Sequence, residues 1–187
     1  MTSTSLASDS PRPARRLLAA AGAGAAVALS IGIYGNVHDP SGELSFTLWF
    51  SSTIALKVWL ATVAVTLAMA QVLLALWIYG RLPWSVPSWA GAMHRISGRL
   101  AFLASLPVAY HCLWSLGFQD TDARVLAHSL LGCAFYGAFA AKVVIVRSRA
   151  LPGAALPIAG AVLFSALVAV WYTSGAWFIG ENGFPEL

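Results

Sequence analysis

Five long apolar runs constrain this chain more than any other feature of its sequence. They cover residues 17–34, 53–79, 94–117, 124–146 and 156–178. A helix needs roughly 20 apolar residues to cross the hydrocarbon core of a bilayer, and each run is close to that length. Charged residues make up 10% of the 187 residues, whereas a soluble domain has about 25%. The sequence therefore predicts an all-α integral membrane bundle of five transmembrane helices.

The segments outside these runs divide the chain into a tail, a membrane domain and a second tail. Residues 1–16 are rich in Ser, Thr, Pro and Arg and predict a disordered cytoplasmic tail. Residues 17–178 are the predicted transmembrane domain, and residues 179–187 a short outer tail. A basic segment before an apolar run is also typical of a signal peptide or a twin-arginine signal. The first run is long and lacks a small-x-small cleavage site, which favours an uncleaved first helix.

The basic residues predict the orientation of the bundle. With the N-terminus inside, the inner side holds eight arginines: Arg12, Arg15, Arg16, Arg81, Arg95, Arg99, Arg147 and Arg149. The outer side then holds Arg124 as its loop cation, beside six acidic residues. This positive-inside asymmetry predicts a multi-pass protein of the cytoplasmic (plasma) membrane, with its N-terminus inside and its C-terminus outside. The net charge of +4 thus reflects orientation in the lipid bilayer, not nucleic-acid binding.

Two histidines lie inside the third and fourth apolar runs. His111 lies six residues before Gly117, about 9 Å from the predicted outer end of its helix, and His128 lies four residues after Arg124, about 6 Å from the same end. An ionisable residue in a bilayer is costly and marks a functional site by default. Two neutral imidazoles at one depth on neighbouring helices are what a b-type haem needs for its axial positions. We predict one haem b held by His111 and His128. The alternatives are another metal ion, or two histidines that hydrogen-bond to neighbouring helices and bind nothing.

Small and cationic residues near the two histidines fit a flat ligand with acidic groups. Gly132 lies one turn after His128, while Ala104, Pro107 and Ser115 lie within two turns of His111. Lys57 and Arg124 are the predicted partners of the haem propionates, although snorkelling or contact with lipid phosphate also explains them. Helices packed 8–10 Å apart leave no room for a haem. The third and fourth helices must therefore be splayed or lie diagonally in the bundle.

Two further histidines are weaker candidates, and the cysteines are weaker still. His94 lies 17 residues before His111, at the predicted inner surface, where solvation or lipid contact explains it. His38 follows the first run beside Asp39 and is a substitute ligand on the correct side. Cys112 and Cys133 both lie in apolar runs without a CxxC spacing, so they are expected to be small buried hydrophobes without a disulfide.

Three sequence segments carry a resemblance to known proteins. They are His-Arg-x-x-Gly-Arg at 94–99, Leu-Pro-Val-Ala-Tyr-His at 106–111 and Ala-His-Ser-Leu-Leu-Gly at 127–132. They resemble the small membrane b-type cytochromes, which include ascorbate-reducible cytochromes and ferric-reductase-like membrane domains. That group typically holds two haems through four histidines, with two ligands about two heptads apart on one helix, and the 17-residue spacing here differs. The chain is also similar to an uncharacterised family of short actinobacterial membrane proteins.

These observations leave three hypotheses for function. The first is a membrane b-type cytochrome, an electron-transfer or oxidoreductase component whose haem near the outer face exchanges electrons with a quinone or an outer-side redox protein. The second is a cofactor-free structural subunit that packs into a larger membrane complex through the small-residue face of the first helix. The third is a metal-ion permease that uses His38, His111 and His128.

Overall fold

Helices form all the regular structure in the residues that the computed structural model describes, which are 12–42, 46–148 and 151–187. In these ranges the α-helices are α1 (Arg12–Val37), α2 (Thr53–Ile78), α3 (Ala90–Tyr110), α4 (Ala123–Arg147), α5 (Ala155–Trp171) and α6 (Trp177–Asn182). A first π-helix (His111–Leu116) continues α3, and a second π-helix (Tyr172–Ala176) joins α5 to α6.

Five continuous helices are long and apolar enough to cross a membrane. They are Pro13–Val37, Thr53–Ile78, Ala90–Leu116, Ala123–Arg147 and Ala155–Asn182. The prediction of five such helices, and hence of a multi-pass membrane protein, is confirmed.

Three helix bounds differ from the predicted ones by four residues or more. α1 begins at Arg12, so residues 12–16 of the predicted tail are helical, as Ala14 and the arginines favour. α3 begins at Ala90, whose backbone N donates to Pro87 O at 3.1 Å. The last helix continues to Asn182, through the second π-helix. Residues 1–11 of the predicted tail lie outside the described ranges.

Local caps and one glycine set several helix ends. Ser52 Oγ accepts a hydrogen bond from Ala55 N at 3.1 Å, and Asp122 Oδ1 accepts one from Val125 N at 2.9 Å. Such caps satisfy amides that have no partner inside a helix. Gly117 ends the first π-helix with a φ of 70°. A Cβ there would lie 2.9 Å from Gly35 O, so glycine permits both the turn and the close approach of α1.

The helices form a ring in which some packed neighbours are not consecutive in the sequence. α2 packs on α3 and on α5, α4 packs on α5 and on α1, and α1 reaches the first π-helix, which closes the ring. The consecutive helices α3 and α4 are not among the closely packed pairs. Their side chains nevertheless meet where the rings of Phe102 and Phe139 stack at 3.9 Å.

The contact between α1 and α4 depends on backbone approaching backbone. A Cβ on Gly24 would lie 2.8 Å from Gly137 O, and a Cβ on Gly137 would lie 2.6 Å from Gly24 O and 2.9 Å from Ala28 Cβ. Small residues allow such close packing in membranes. Gly24 and Ala28 of the first helix are therefore packed against α4, whereas Gly22 is exposed.

We call the two ends of the bundle the Arg124 end and the Arg147 end. The Arg124 end includes residues 38–42, 46–52, 117–122 and 183–187, and the Arg147 end is opposite. At the Arg124 end, Ser41 N and Gly42 N donate to Trp114 O and Ser115 O, both at 3.2 Å. These bonds tie the segment after α1 to the end of the first π-helix.

Candidate functional site

A cavity of about 270 Å³ lies between α3 and α4, with α1, α2 and α5 contributing to its walls. It extends from residues 117–119 at the Arg124 end to Ser105 and Tyr136 near the middle of the bundle. Its size is close to the lower limit of small-molecule sites, roughly 300–1,000 Å³. The lining is nearly all apolar, and the exceptions include Ser105, Arg124, His128, Ser129, Tyr136 and Ser174. A largely apolar pocket with a few placed polar groups is the usual form of a ligand site.

One face of α4 supplies most of these polar groups. Arg124, His128, Gly132 and Tyr136 all line the cavity and are four residues apart, so they lie one above another on the helix. A Cβ built on Gly132 meets nothing within 4 Å, which means that this position opens onto free space. The sequence-based prediction included the first three of these residues but missed Tyr136, although its spacing from Gly132 was visible in the sequence.

His128 is held by a residue of the second π-helix. Its Nδ1 lies 3.3 Å from Thr173 Oγ1. The Thr173 hydroxyl itself has backbone acceptors, Ala169 O at 2.9 Å and Val170 O at 3.0 Å. Since a hydroxyl has one proton and two lone pairs, Oγ1 can donate to one of these carbonyls and accept from His128 Nδ1–H. In that tautomer the lone pair of the imidazole is on Nε2.

Arg124 turns toward α5 and α6 at the mouth of the cavity. Its Nη1 donates to Thr173 O at 2.9 Å, and its guanidinium carbon lies 3.8 Å from the centroid of the Trp177 ring. Both contacts fix the cation in place, and the ring contact adds a favourable cation–π interaction. A positive charge is therefore held four residues, or one helical turn, from His128.

Tyr136 closes the cavity toward the Arg147 end. Its hydroxyl lies 3.0 Å from both Oγ and the backbone O of Ser105 on α3. Ser105 Oγ donates to Phe102 O at 2.7 Å, so its lone pairs are free to accept from tyrosine. This bond joins α3 and α4 at the end of the cavity, next to the stacked rings of Phe102 and Phe139.

His111 lies at the expected position along its helix, but its side chain is on a different face of the helix from the residues that line the cavity. Its side chain is 1% exposed, and its Nε2 lies 2.8 Å from Phe46 O, to which the imidazole N–H donates. It does not line the cavity, whereas its neighbour Cys112 does. Its Nδ1 is buried without a hydrogen-bond partner among the described residues. The structure therefore does not bring His111 and His128 together in one cavity.

The helical period explains this separation. Ser105, Val108, Ala109 and Cys112 form the α3 side of the cavity. At about 100° per residue, His111 points roughly a third of a turn away from that face. The small residues Ala104, Pro107 and Ser115, predicted to make room beside His111, share its face and do not line the cavity.

These contacts allow a direct test of the fit to haem. A ligand histidine needs an unprotonated nitrogen, usually with its other nitrogen held by a hydrogen bond. His128 meets both conditions on the wall of an apolar cavity, with the cation of Arg124 nearby. His111 meets the same two conditions, since its Nε2–H donates to Phe46 O and its Nδ1 has no partner among the described residues, but it does not line the cavity. The residues fit attachment through one histidine, and the predicted two-histidine attachment does not fit this arrangement of side chains.

A family model matches residues 17–186, described as a family of unknown function, DUF6529. The chain belongs to that family. Its relationship to an uncharacterised membrane family, expected from the sequence, is thereby supported. Comparison with curated proteins and with solved structures finds no match.

The other predicted site residues of this DUF6529 chain do not line the cavity. Lys57 is half-buried near the start of α2, and its charge is close enough to act on Cys112 and His128 in the cavity wall. His94 lies in the first turns of α3 toward the Arg147 end, and its backbone O accepts from Gln71 Nε2. His38 Nε2 donates to Trp114 O at 3.2 Å, and its ring stacks 5.0 Å from Tyr34. His38 thus has a structural contact in the segment after α1.

No group of three or more His, Cys, Asp or Glu side chains that could hold a metal ion occurs within the described ranges. Cys112 and Cys133 are free thiols, and both line the cavity. His38, His111 and His128 each bond to a different partner, namely Trp114 O, Phe46 O and Thr173. The geometry offers no common site for the three histidines of the permease hypothesis.

Proposed function

We propose that this protein is a membrane electron carrier that binds one haem b in the central cavity, with His128 as an axial ligand. The observation that carries the proposal is the state of His128. Thr173 engages its Nδ1, which leaves the lone pair on Nε2, in an apolar cavity between two splayed helices. An iron porphyrin bound there supplies a one-electron couple between the ferric and ferrous states.

The other residues of the cavity have defined roles in this proposal. Arg124 offers a fixed positive charge for a propionate at the Arg124 end. Gly132 leaves space beside His128 on the same face. Tyr136 and Ser105 keep α3 and α4 joined below the ligand. The apolar walls exclude water and tune the reduction potential through burial.

The proposal differs from the two-histidine prediction on one point. His111 acts as a structural residue that holds Phe46, and it joins the ligand only if its ring leaves the Phe46 carbonyl. Spectra of separate histidine variants distinguish these two forms.

The distribution of arginines supports an orientation with the Arg124 end outside the cytoplasmic membrane. A single redox group in the half of the bundle toward that end cannot carry electrons across a roughly 30 Å core unaided. Its exchange partner is therefore a quinone in the bilayer or a redox protein on the outer side.

A reduced-minus-oxidised absorption spectrum tests the proposal. The full chain is purified in mild detergent as wild type, His128→Ala, His111→Ala and His38→Ala. We expect cytochrome-type bands in the wild type, their loss in His128→Ala, and their retention in the other two. Loss in both His128→Ala and His111→Ala would show the two-histidine form. A colourless wild type after haem supplementation would overturn the haem proposal.

A second candidate is the binding of a quinone-type ring without a metal. It is favoured by the modest cavity volume of about 270 Å³ and by its one histidine. The neutral imidazole can accept a hydrogen bond from a hydroquinone hydroxyl through Nε2. Organic extraction of the purified protein tests this candidate. A bound quinone in the wild type, reduced in His128→Ala but not in His38→Ala, would support it.

A further inference from the structure

We infer that Thr173 is the positioning residue of the cavity, which sets the tautomer of His128 and the place of Arg124 through two of its own atoms. This inference rests on the proposed function, since it names the residue that prepares His128 to hold a ligand. The hydrogen bonds themselves do not depend on which ligand binds.

The side chain of Thr173 determines which imidazole nitrogen is free. With acceptors at 2.9 Å and 3.0 Å for its own proton, Oγ1 is left as an acceptor for His128 Nδ1–H. Partners of this kind fix the ring orientation and basicity of metal-binding histidines, and their loss typically lowers metal affinity 10–100-fold.

The backbone of Thr173 holds the second residue. Its carbonyl O accepts from Arg124 Nη1 at 2.9 Å. Arg124 and His128 are one turn apart on α4, so a single residue of the neighbouring helix contacts both. Thr173 belongs to the second π-helix, and such insertions often occur at functional sites.

Residues on both sides keep Thr173 in place. Trp171 Nε1 donates to Thr62 Oγ1 on α2 at 3.1 Å, which anchors the chain two residues before Thr173. A Cβ on Gly175 would lie 2.9 Å from Trp171 Cδ1, so glycine lets this indole pack against the π-helix. The segment is thus anchored to α2 while its threonine faces α4.

The first test is nitrogen NMR of the full chain in detergent with labelled histidine. The chain has four histidines, and His128→Gln assigns the His128 signal. We expect His128 in the Nδ1–H form in the wild type and in Thr173→Ser, with loss of that preference in Thr173→Val. Ser174→Ala is the matched control, because Ser174 also lines the cavity but donates to Val170 O.

An Nε2–H signal for wild-type His128 would overturn the inference without any variant. An unchanged His128 signal in Thr173→Val would do the same. These outcomes do not depend on haem, so the inference and the proposed function fail separately.

The second test uses the ligand. In haem titrations we expect Thr173→Val to bind haem 10–100-fold more weakly, with a shifted midpoint potential, and Thr173→Ser to restore both properties. If Thr173→Val retains wild-type affinity and potential in a protein that binds haem, Thr173 is only structural.

Discussion

The two walls of the cavity are built in different ways. The α4 wall presents Arg124, His128 and Tyr136 at spacings of four and eight residues, and each is held by a hydrogen bond to another helix or to the second π-helix. The α3 wall presents small or apolar residues, and its histidine turns away to Phe46. This difference shows that two histidines at similar positions along their helices need not belong to the same site. The hydrogen-bonding side chains are concentrated on one wall, and the other wall is mainly apolar.

Filling the space on the α4 wall tests whether that wall is the binding face. We expect Gly132→Phe to abolish haem or quinone binding while the protein still folds, because the Cβ direction at Gly132 is open. Absorbance and extraction measure ligand content, and size-exclusion chromatography reports folding. Gly132→Ala, which adds one methyl group, is the control that should still bind. Normal binding by the phenylalanine variant would place the ligand elsewhere.

A substitution at Gly137, a second glycine of α4, tests the packing of α4 against α1. We expect Gly137→Ala to destabilise the protein by about 1–3 kcal/mol, the usual effect of overpacking. Its Cβ would lie 2.6 Å from Gly24 O. Thermal unfolding in detergent measures the change, with Gly132→Ala as the matched substitution on the same helix. Equal stability of the two variants would contradict the close α1–α4 contact.

Replacing the histidine of the α3 wall separates structure from ligand binding. His111→Leu should cost about 1.5 kcal/mol of stability, the upper part of the range for one hydrogen bond, because the imidazole is nearly fully buried. Ligand content per folded protein should stay unchanged. The same spectra and unfolding curves measure both quantities. A loss of ligand at unchanged stability would show that His111 is part of the binding site.

The bond that joins the two walls should have the smallest effect. Tyr136→Phe and Ser105→Ala should each destabilise the protein by about 0.5–1 kcal/mol, as expected for one half-buried hydrogen bond. In a double-mutant cycle the combined variant should lose less than the sum, because both changes remove the same contact. Strict additivity would show that the two hydroxyls do not interact.

The sequence predicted the helices well because the length of an apolar run is a direct requirement of the bilayer. The position of each residue along its helix was also predictable, since the rise per residue is fixed. The face of His111 was not, because it depends on which neighbours surround α3 and on the Phe46 carbonyl, 65 positions away in the chain. Thr173 was missed for the same reason, since its contact with His128 spans 45 positions. Tyr136 alone could have been found from its spacing.

The pairing of α1 with α4 has a consequence for biogenesis. During synthesis the first helix enters the bilayer well before its packing partner exists, whereas α2 and α3 can associate as soon as both have been made. α1 must therefore remain unattached in the lipid until three more helices have been inserted. Its contact with α4 can form only then, and α5, which also packs on α4, follows it.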